Sequence, residues 1–229
     1  MTTTSLRPVL LVVARSPVPG AAKTRLAPAF GPVGAARLAH AALLDTLDAS
    51  REAARRVGAD VAVALAGRVC AAVDPRGLVR ALADVEVHGQ RGTGFAERLA
   101  NAHADAAFGR PCLQIGMDTP QVTASLLATL LDDLASARAD EAGLGAASDG
   151  GWWALAVPGG EHARCLRTVP MSRPDTGART REALRAEGLD VRALPLLTDV
   201  DTAADVVVVA PACAGRFGRV ADELGRLAS

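Results

Sequence analysis

The run PVLLVVA, residues 8–14, is apolar at every position and ends in turn formers. A strand apolar on both faces has to be covered on both faces, which is the situation inside a parallel sheet. The same kind of run returns as DVAVALAG at residues 60–67 and PCLQIGMD at 111–118, with a shorter VEVHG ending at Gly89. Helical patterns lie between these runs. One spans residues 31–58, with Pro32 near its start and Gly58 as its stop. GLVRALAD is a short one, another follows the turn GQRGTG (residues 89–94) to about Phe108, and PQVTASLLATLLDDLASA is a third. Strands alternating with helices predict a three-layer α/β/α sandwich around a mostly parallel sheet. AGLGAAS and WWALAV flank the turn DGG and predict an antiparallel addition to that sheet. A polar loop at 170–177, a helix ending at Gly188, a last strand DVRALP, the polar LTDVDTAAD and a helical tail from Pro211 complete the pattern. Neither a linker nor a repeat interrupts it, so residues 1–229 read as one domain.

Composition removes several function classes. Basic and acidic residues are equal at 25 each, so no cationic field exists to hold nucleic acid. No apolar run approaches the ~20 residues of a membrane span, and the N-terminus lacks the basic-then-apolar layout of a signal peptide. Cys70, Cys112, Cys165 and Cys213 are widely spaced, which suits reduced thiols in a cytoplasmic protein and disfavours a zinc site. Aromatic residues are only 3%, so the core must be built from Ala, Val and Leu.

In open parallel sheets ligands bind beyond the carboxyl ends of the strands. Three charged segments follow strands there: ARSPVPGAAKTRLAP after the first, Asp118 after PCLQIGM, and TDVDT after the last. Lys23 is the single lysine among the 25 basic residues. It lies with Arg15 and Arg25 on a loop stiffened by Pro17, Pro19 and Pro28, and Gly20 allows close backbone approach. An ammonium beside a forked guanidinium suits a polyphosphate. The loop is not a P-loop, because Ala22 stands where that motif needs glycine. Asp118 could simply cap the next helix, and Asp201 or Thr202 could cap AADVVVV. Alternatively Asp118 joins Asp201 or Asp199 around one divalent cation, since Mg²⁺ takes few carboxylates plus phosphate oxygens. GQRGTG offers backbone N–H groups at a helix start. SDGGWW reads as a hairpin turn, with one tryptophan free to shape a pocket while the other packs inside. His40, His88, His103 and His162 show neither metal spacing nor triad logic.

The segments VVARSPVPGAAKTRLAP, GQRGTGFAERL, IGMDTPQVT, SDGGWWALAV and LTDVDTAADV, in this order, resemble the GT-A-fold transferases known as radical-SAM/selenodomain-associated glycosyltransferases. That group is similar to the phospholactate and molybdenum-cofactor guanylyltransferases. The resemblance implies a nucleotide-diphospho-sugar transferase fold that binds a nucleotide and Mg²⁺ or Mn²⁺. By motif position it implies phosphate contacts from Lys23 and Arg25, with Arg15, Gly20, Thr24, Gln90 and Gly94 completing the nucleotide side. It implies metal binding by Asp118 and Asp201, and an acceptor side at Asp149, Gly150 and Trp153. Arg15 departs from the family's usual lysine, Thr119 from its usual serine, and Trp153 stands at a position usually tyrosine or another aromatic.

The expected chemistry is nucleotidyl transfer from a nucleoside triphosphate to a small phosphorylated or hydroxyl acceptor, with Lys23, Arg25 and Asp118 at the reacting centre. It relies on positioning and electrostatics, which fits a sequence without a covalent triad. Sugar transfer from a nucleotide-sugar is the alternative, and a non-catalytic nucleotide-binding domain a third. The expected partners are small molecules, not nucleic acid or membrane; the sequence leaves the oligomeric state open.

Overall fold

The computed structural model describes residues 6–107 and 109–228. In chain order its elements are β1 (Val9–Arg15), α1 (Ala27–Val57), β2 (Asp60–Ala66), α2 (Pro75–Leu82), β3 (Glu86–Gly89), α3 (Phe95–Ala107), β4 (Cys112–Gly116), α4 (Ala124–Ser136), β5 (Glu141–Ala147), β6 (Trp152–Val157), α5 (Thr176–Ala186), β7 (Asp190–Leu197), α6 (Ala203–Val209) and α7 (Arg216–Ala228). The strands form one seven-stranded sheet in the order β3-β2-β1-β4-β6-β5-β7. None of the described helices is long and apolar enough to cross a membrane.

β1 shows why the sheet is covered on both sides. Leu10, Val12 and Ala14 point into a cluster with Leu43 and Leu47 of α1 and Leu127 and Leu131 of α4. Val9, Leu11 and Val13 point into another with Leu99, Ala102 and Ala106 of α3. Each fully buried Leu or Val contributes about 1.5–3 kcal/mol relative to an exposed one, so a register slip of one residue would leave both layers without their partners. A third cluster packs the outer side of α1, through Leu38 and Ala42, against Val206, Val209, Phe217 and Leu224 of α6 and α7.

Three differences from the sequence reading have local causes. Of the two strands expected as an antiparallel addition, only β6 is antiparallel, and it lies inside the sheet. β6 lies between β4 and β5 and is antiparallel to both, while β5 and β7 run with β1 to β4. Residues 153–157 of β6 are all buried, which an edge position would not permit. α4 starts at Ala124 rather than near Pro120, because the Thr123 side chain accepts from the Leu126 N–H at 3.1 Å and caps the helix there. α1 opens earlier than the pattern suggests, but its first turn is kinked at Gly31, where φ is 68° and Pro32 follows. Because β6 alone is reversed, the carboxyl ends of β1, β4, β5 and β7 and the β5–β6 turn share one rim.

Between α3 and β4, His103 is fully buried and its Nε2 lies 2.9 Å from Gln114 Oε1. Burial lowers its pKa to about 4, with the Gln114 contact opposing. The unfolded chain takes up this proton below about 6.5, the folded chain only near 4, so acidification between those values favours unfolding. Going from pH 7 to pH 5, urea denaturation should show the native protein losing about 2 kcal/mol relative to a His103→Gln variant. A difference that does not change with pH would contradict the buried neutral imidazole.

Candidate functional site

The loop after β1 is pinned at both ends. Ser16 N–H donates to Ala66 O at 2.8 Å, and Ser16 Oγ donates to Arg68 O at 2.9 Å, fastening the start of the loop to the end of β2. The Ala21 and Ala22 N–H groups both donate to Val18 O, closing a turn. Ala22 and Leu26 are buried. Between these two apolar anchors stands Lys23 in the left-handed region, with φ 48° and ψ 47°. That conformation costs roughly 1–2 kcal/mol for a residue with a Cβ, and it aims the only lysine back across the rim.

What it meets comes from the other two segments. Asp118 follows β4, and its carbonyl accepts the Val200 N–H at 2.8 Å. Gln121 Nε2 donates to Thr198 O at 2.8 Å. These two bonds bring the chain after β7 against the end of β4. Asp201 then stands just before α6. Its side chain does not cap that helix: Thr202 does, with Asp205 accepting from the Thr202 N–H at 2.7 Å and the Asp201 N–H at 3.1 Å. Asp118 is no cap either, since Thr123 holds that role. Both carboxylates are therefore available, and Lys23 Nζ lies 2.8 Å from Asp118 Oδ1 and 2.7 Å from Asp201 Oδ1.

The Lys23 side chain is only 13% exposed. Burial alone would lower its pKa; the Asp118 and Asp201 carboxylates outweigh that and hold it above the usual lysine value. The ammonium is thus fixed in its charged form. Arg25 reaches Asp201 at 3.5 Å but is well exposed, and such a pair contributes little. Asp199 lies in the same field. Burial, then the negative charges of Asp118 and Asp149, push its carboxyl up to about 7, with Lys23 opposing. Among the described residues no three His, Cys, Asp or Glu side chains converge as a metal cage. Asp118 and Asp201 do converge on one cationic point, a donor set of hard oxygens suited to Mg²⁺ or Mn²⁺ if phosphate or water oxygens complete it.

The remaining residues expected at the site divide. Arg15, Gly20 and Thr24 are exposed on the first loop, and Arg15 has no ion-pair partner among the described residues. Gly20 takes φ 78°. Gly94 is exposed where α3 begins. Gln90 faces inward instead: its amide donates to Ala14 O and Ala64 O, both at 2.9 Å, tying β1 to β2. Asp149 closes the β5–β6 turn by accepting the Gly151 N–H at 2.8 Å. Gly150 has φ 87°, and a Cβ there would come within 2.0 Å of Pro174 O. Trp153 is not brought to the rim. It is 2% exposed, packs over Gly145, and donates its indole N–H to Pro195 O at 2.8 Å. Its partner Trp152 lies on the other face and donates to Thr180 Oγ1 at 3.0 Å. The ties made by Ser16 and Gln121 escaped the sequence reading, since nothing in spacing reveals a bond to a distant carbonyl.

A family model described as "Uncharacterized protein conserved in bacteria (DUF2064)" matches residues 46–173. No curated protein matches the sequence. Among solved structures, a Desulfovibrio desulfuricans G20 protein provisionally assigned as a nucleotide-diphospho-sugar transferase superposes with a TM-score of 0.79 at 22% identity, over 96% of both chains. A nucleotidyl transferase of Methanothermobacter (Mth528) gives 0.55 at 16% identity, over 96% of this chain and 99% of that one. Rv0371c of Mycobacterium tuberculosis H37Rv, in complex with manganese, gives 0.52 at 21% identity, over 90% of this chain and 98% of that one. At such identities the likeness establishes a shared fold.

Gly150→Ala tests the packing that shapes the turn side of the rim. It combines a left-handed backbone with a clash against a fixed carbonyl, so it should cost about 2–3 kcal/mol of stability. Urea denaturation checks this; a loss under ~0.5 kcal/mol, the range of an ordinary surface change, would mean that residues 170–175 move freely away.

Proposed function

The chain belongs to the DUF2064 family, and we propose that it is a divalent-metal-dependent transferase that uses a nucleotide donor, most directly a nucleotidyltransferase. The observation that carries this reading is the meeting of Lys23 with Asp118 and Asp201 across the rim, at 2.8 and 2.7 Å. Phosphoryl chemistry needs cations held where charge develops on phosphate oxygens, and needs little covalent help from the protein. The first loop supplies Lys23, Arg25 and Arg15 for the triphosphate. Thr24, Gly20 and Gly94 leave room beside it, and Gln90 steadies the sheet edge beneath. Asp118 and Asp201 would hold Mg²⁺ or Mn²⁺, which supplies charge neutralisation for the diphosphate part of the donor. Asp149 and Gly150 line the acceptor side.

An acceptor phosphate or hydroxyl oxygen attacks the α-phosphorus; the bond to the β-phosphate oxygen breaks and pyrophosphate leaves. Lys23 and Arg25 receive the negative charge that accumulates on the leaving oxygens. The alternative, sugar transfer from a nucleotide-sugar, is favoured by the description of the Desulfovibrio neighbour and would use the same acids for the diphosphate leaving group. A non-catalytic nucleotide-binding domain would show no turnover and no metal dependence.

A thermal-shift panel of nucleoside triphosphates and nucleotide-sugars, each with and without Mg²⁺ or Mn²⁺, separates these readings. A triphosphate that stabilises only with metal, and releases pyrophosphate on turnover, supports nucleotidyl transfer; stabilisation by nucleotide-sugars alone supports the second reading. With the active donor, Lys23→Ala should lower kcat by about two orders of magnitude, the effect of losing one preorganised charge donor. Arg25→Ala, acting from an exposed side chain, should lower it by about tenfold or less. Full activity in Lys23→Ala would remove the reading.

A further inference from the structure

We propose that Lys23 is the resident counter-ion of the Asp118–Asp201 pair and that a divalent cation enters only by displacing its ammonium. This rests on the reading of those two acids as metal ligands. Lys23 Nζ sits 2.8 Å from one carboxylate oxygen and 2.7 Å from the other. A metal ion bound by the same two oxygens would occupy nearly the same point, since such ions take their oxygens at slightly shorter distance. Two positive centres cannot share it. The ammonium satisfies the pair in advance, offering two of its three N–H donors to the acids.

The chain has arranged for this occupancy and for its release. The left-handed backbone of Lys23 holds the ammonium over the acids, while the neighbouring Ala22 and Leu26 keep the loop from following if the side chain leaves. Lysine suits the role better than arginine: it is a compact point charge on a flexible stem, able to swing away from its partners without a fixed fork to unmake. A dication is a fitting replacement for a monocation between two carboxylates. Once displaced, the ammonium faces the rim beside Arg25 and Arg15, where donor phosphates would offer it a new partner. Metal loading and donor binding then assist each other, because the donor gives the displaced cation somewhere to go.

The single lysine makes the test site-specific, since lysine labelled at 15Nζ and 13Cε reports this side chain alone. Titrating the labelled protein with Mg²⁺ should move its one lysine side-chain signal, with the midpoint that calorimetry gives for Mg²⁺ binding. Lys23→Met, checked for native near-ultraviolet circular dichroism, should bind Mn²⁺ at least tenfold more tightly than the unsubstituted protein in the absence of nucleotide, read as loss of the free-ion electron paramagnetic resonance signal. Metal binding that leaves the lysine signal unmoved overturns displacement and leaves the transferase reading standing. So does a folded Lys23→Met protein that binds Mn²⁺ no more tightly. Absence of metal binding in both proteins, with or without a nucleoside triphosphate, overturns this inference together with the metal-dependent reading beneath it.

Discussion

One ammonium held between two carboxylates organises this molecule's candidate functional face. Lys23, Asp118 and Asp201 come from three segments separated by most of the chain, and they meet only because β1, β4 and β7 run the same way and end on the same rim. Reverse any of those strands and the residues would lie at opposite ends of the sheet. The parallel topology in turn depends on helices covering both faces, hence on strands apolar at every position. The site is thus a consequence of the alternating Leu and Val contacts of β1 as much as of its own charges.

The electrostatics of the rim centre on one mostly buried cation. Lys23 stays charged despite burial because its partners outweigh the desolvation cost. Asp199 is pushed up to about 7 by burial and by the neighbouring acids Asp118 and Asp149, with Lys23 opposing. Strain adds to this. A lysine in the left-handed region persists only where its surroundings determine it, and here Ala22, Leu26 and the two acids do so. A left-handed backbone and a mostly enclosed ammonium between two carboxylates thus meet at one point of the rim.

Much of this was legible from the residues. Strand and helix identity followed from runs and periodicity, because burial on two faces leaves no polar position in PVLLVVA. The gathering of Arg15, Lys23, Arg25, Asp118 and Asp201 on one rim followed from the rule for parallel sheets. What was not legible depended on long-range packing. WWALAV gives no sign that it inserts between β4 and β5, since a buried edge and a buried centre read alike. Trp153 and Gln90 looked available as chemistry-bearing side chains; the structure assigns the first to the core and the second to the carbonyls of Ala14 and Ala64. The cap of α4 was not legible either, being Thr123 rather than Asp118, whereas for α6 the structure selects Thr202 from the two caps the sequence offered.

Anomalous diffraction at the manganese edge, from a crystal soaked with Mn²⁺ and a nucleoside triphosphate, tests the central claim most directly. On this account the peak lies between Asp118 and Asp201, with the Lys23 ammonium turned to the phosphates. A peak at any other place on the protein, or none while Lys23 keeps both carboxylates, would contradict it.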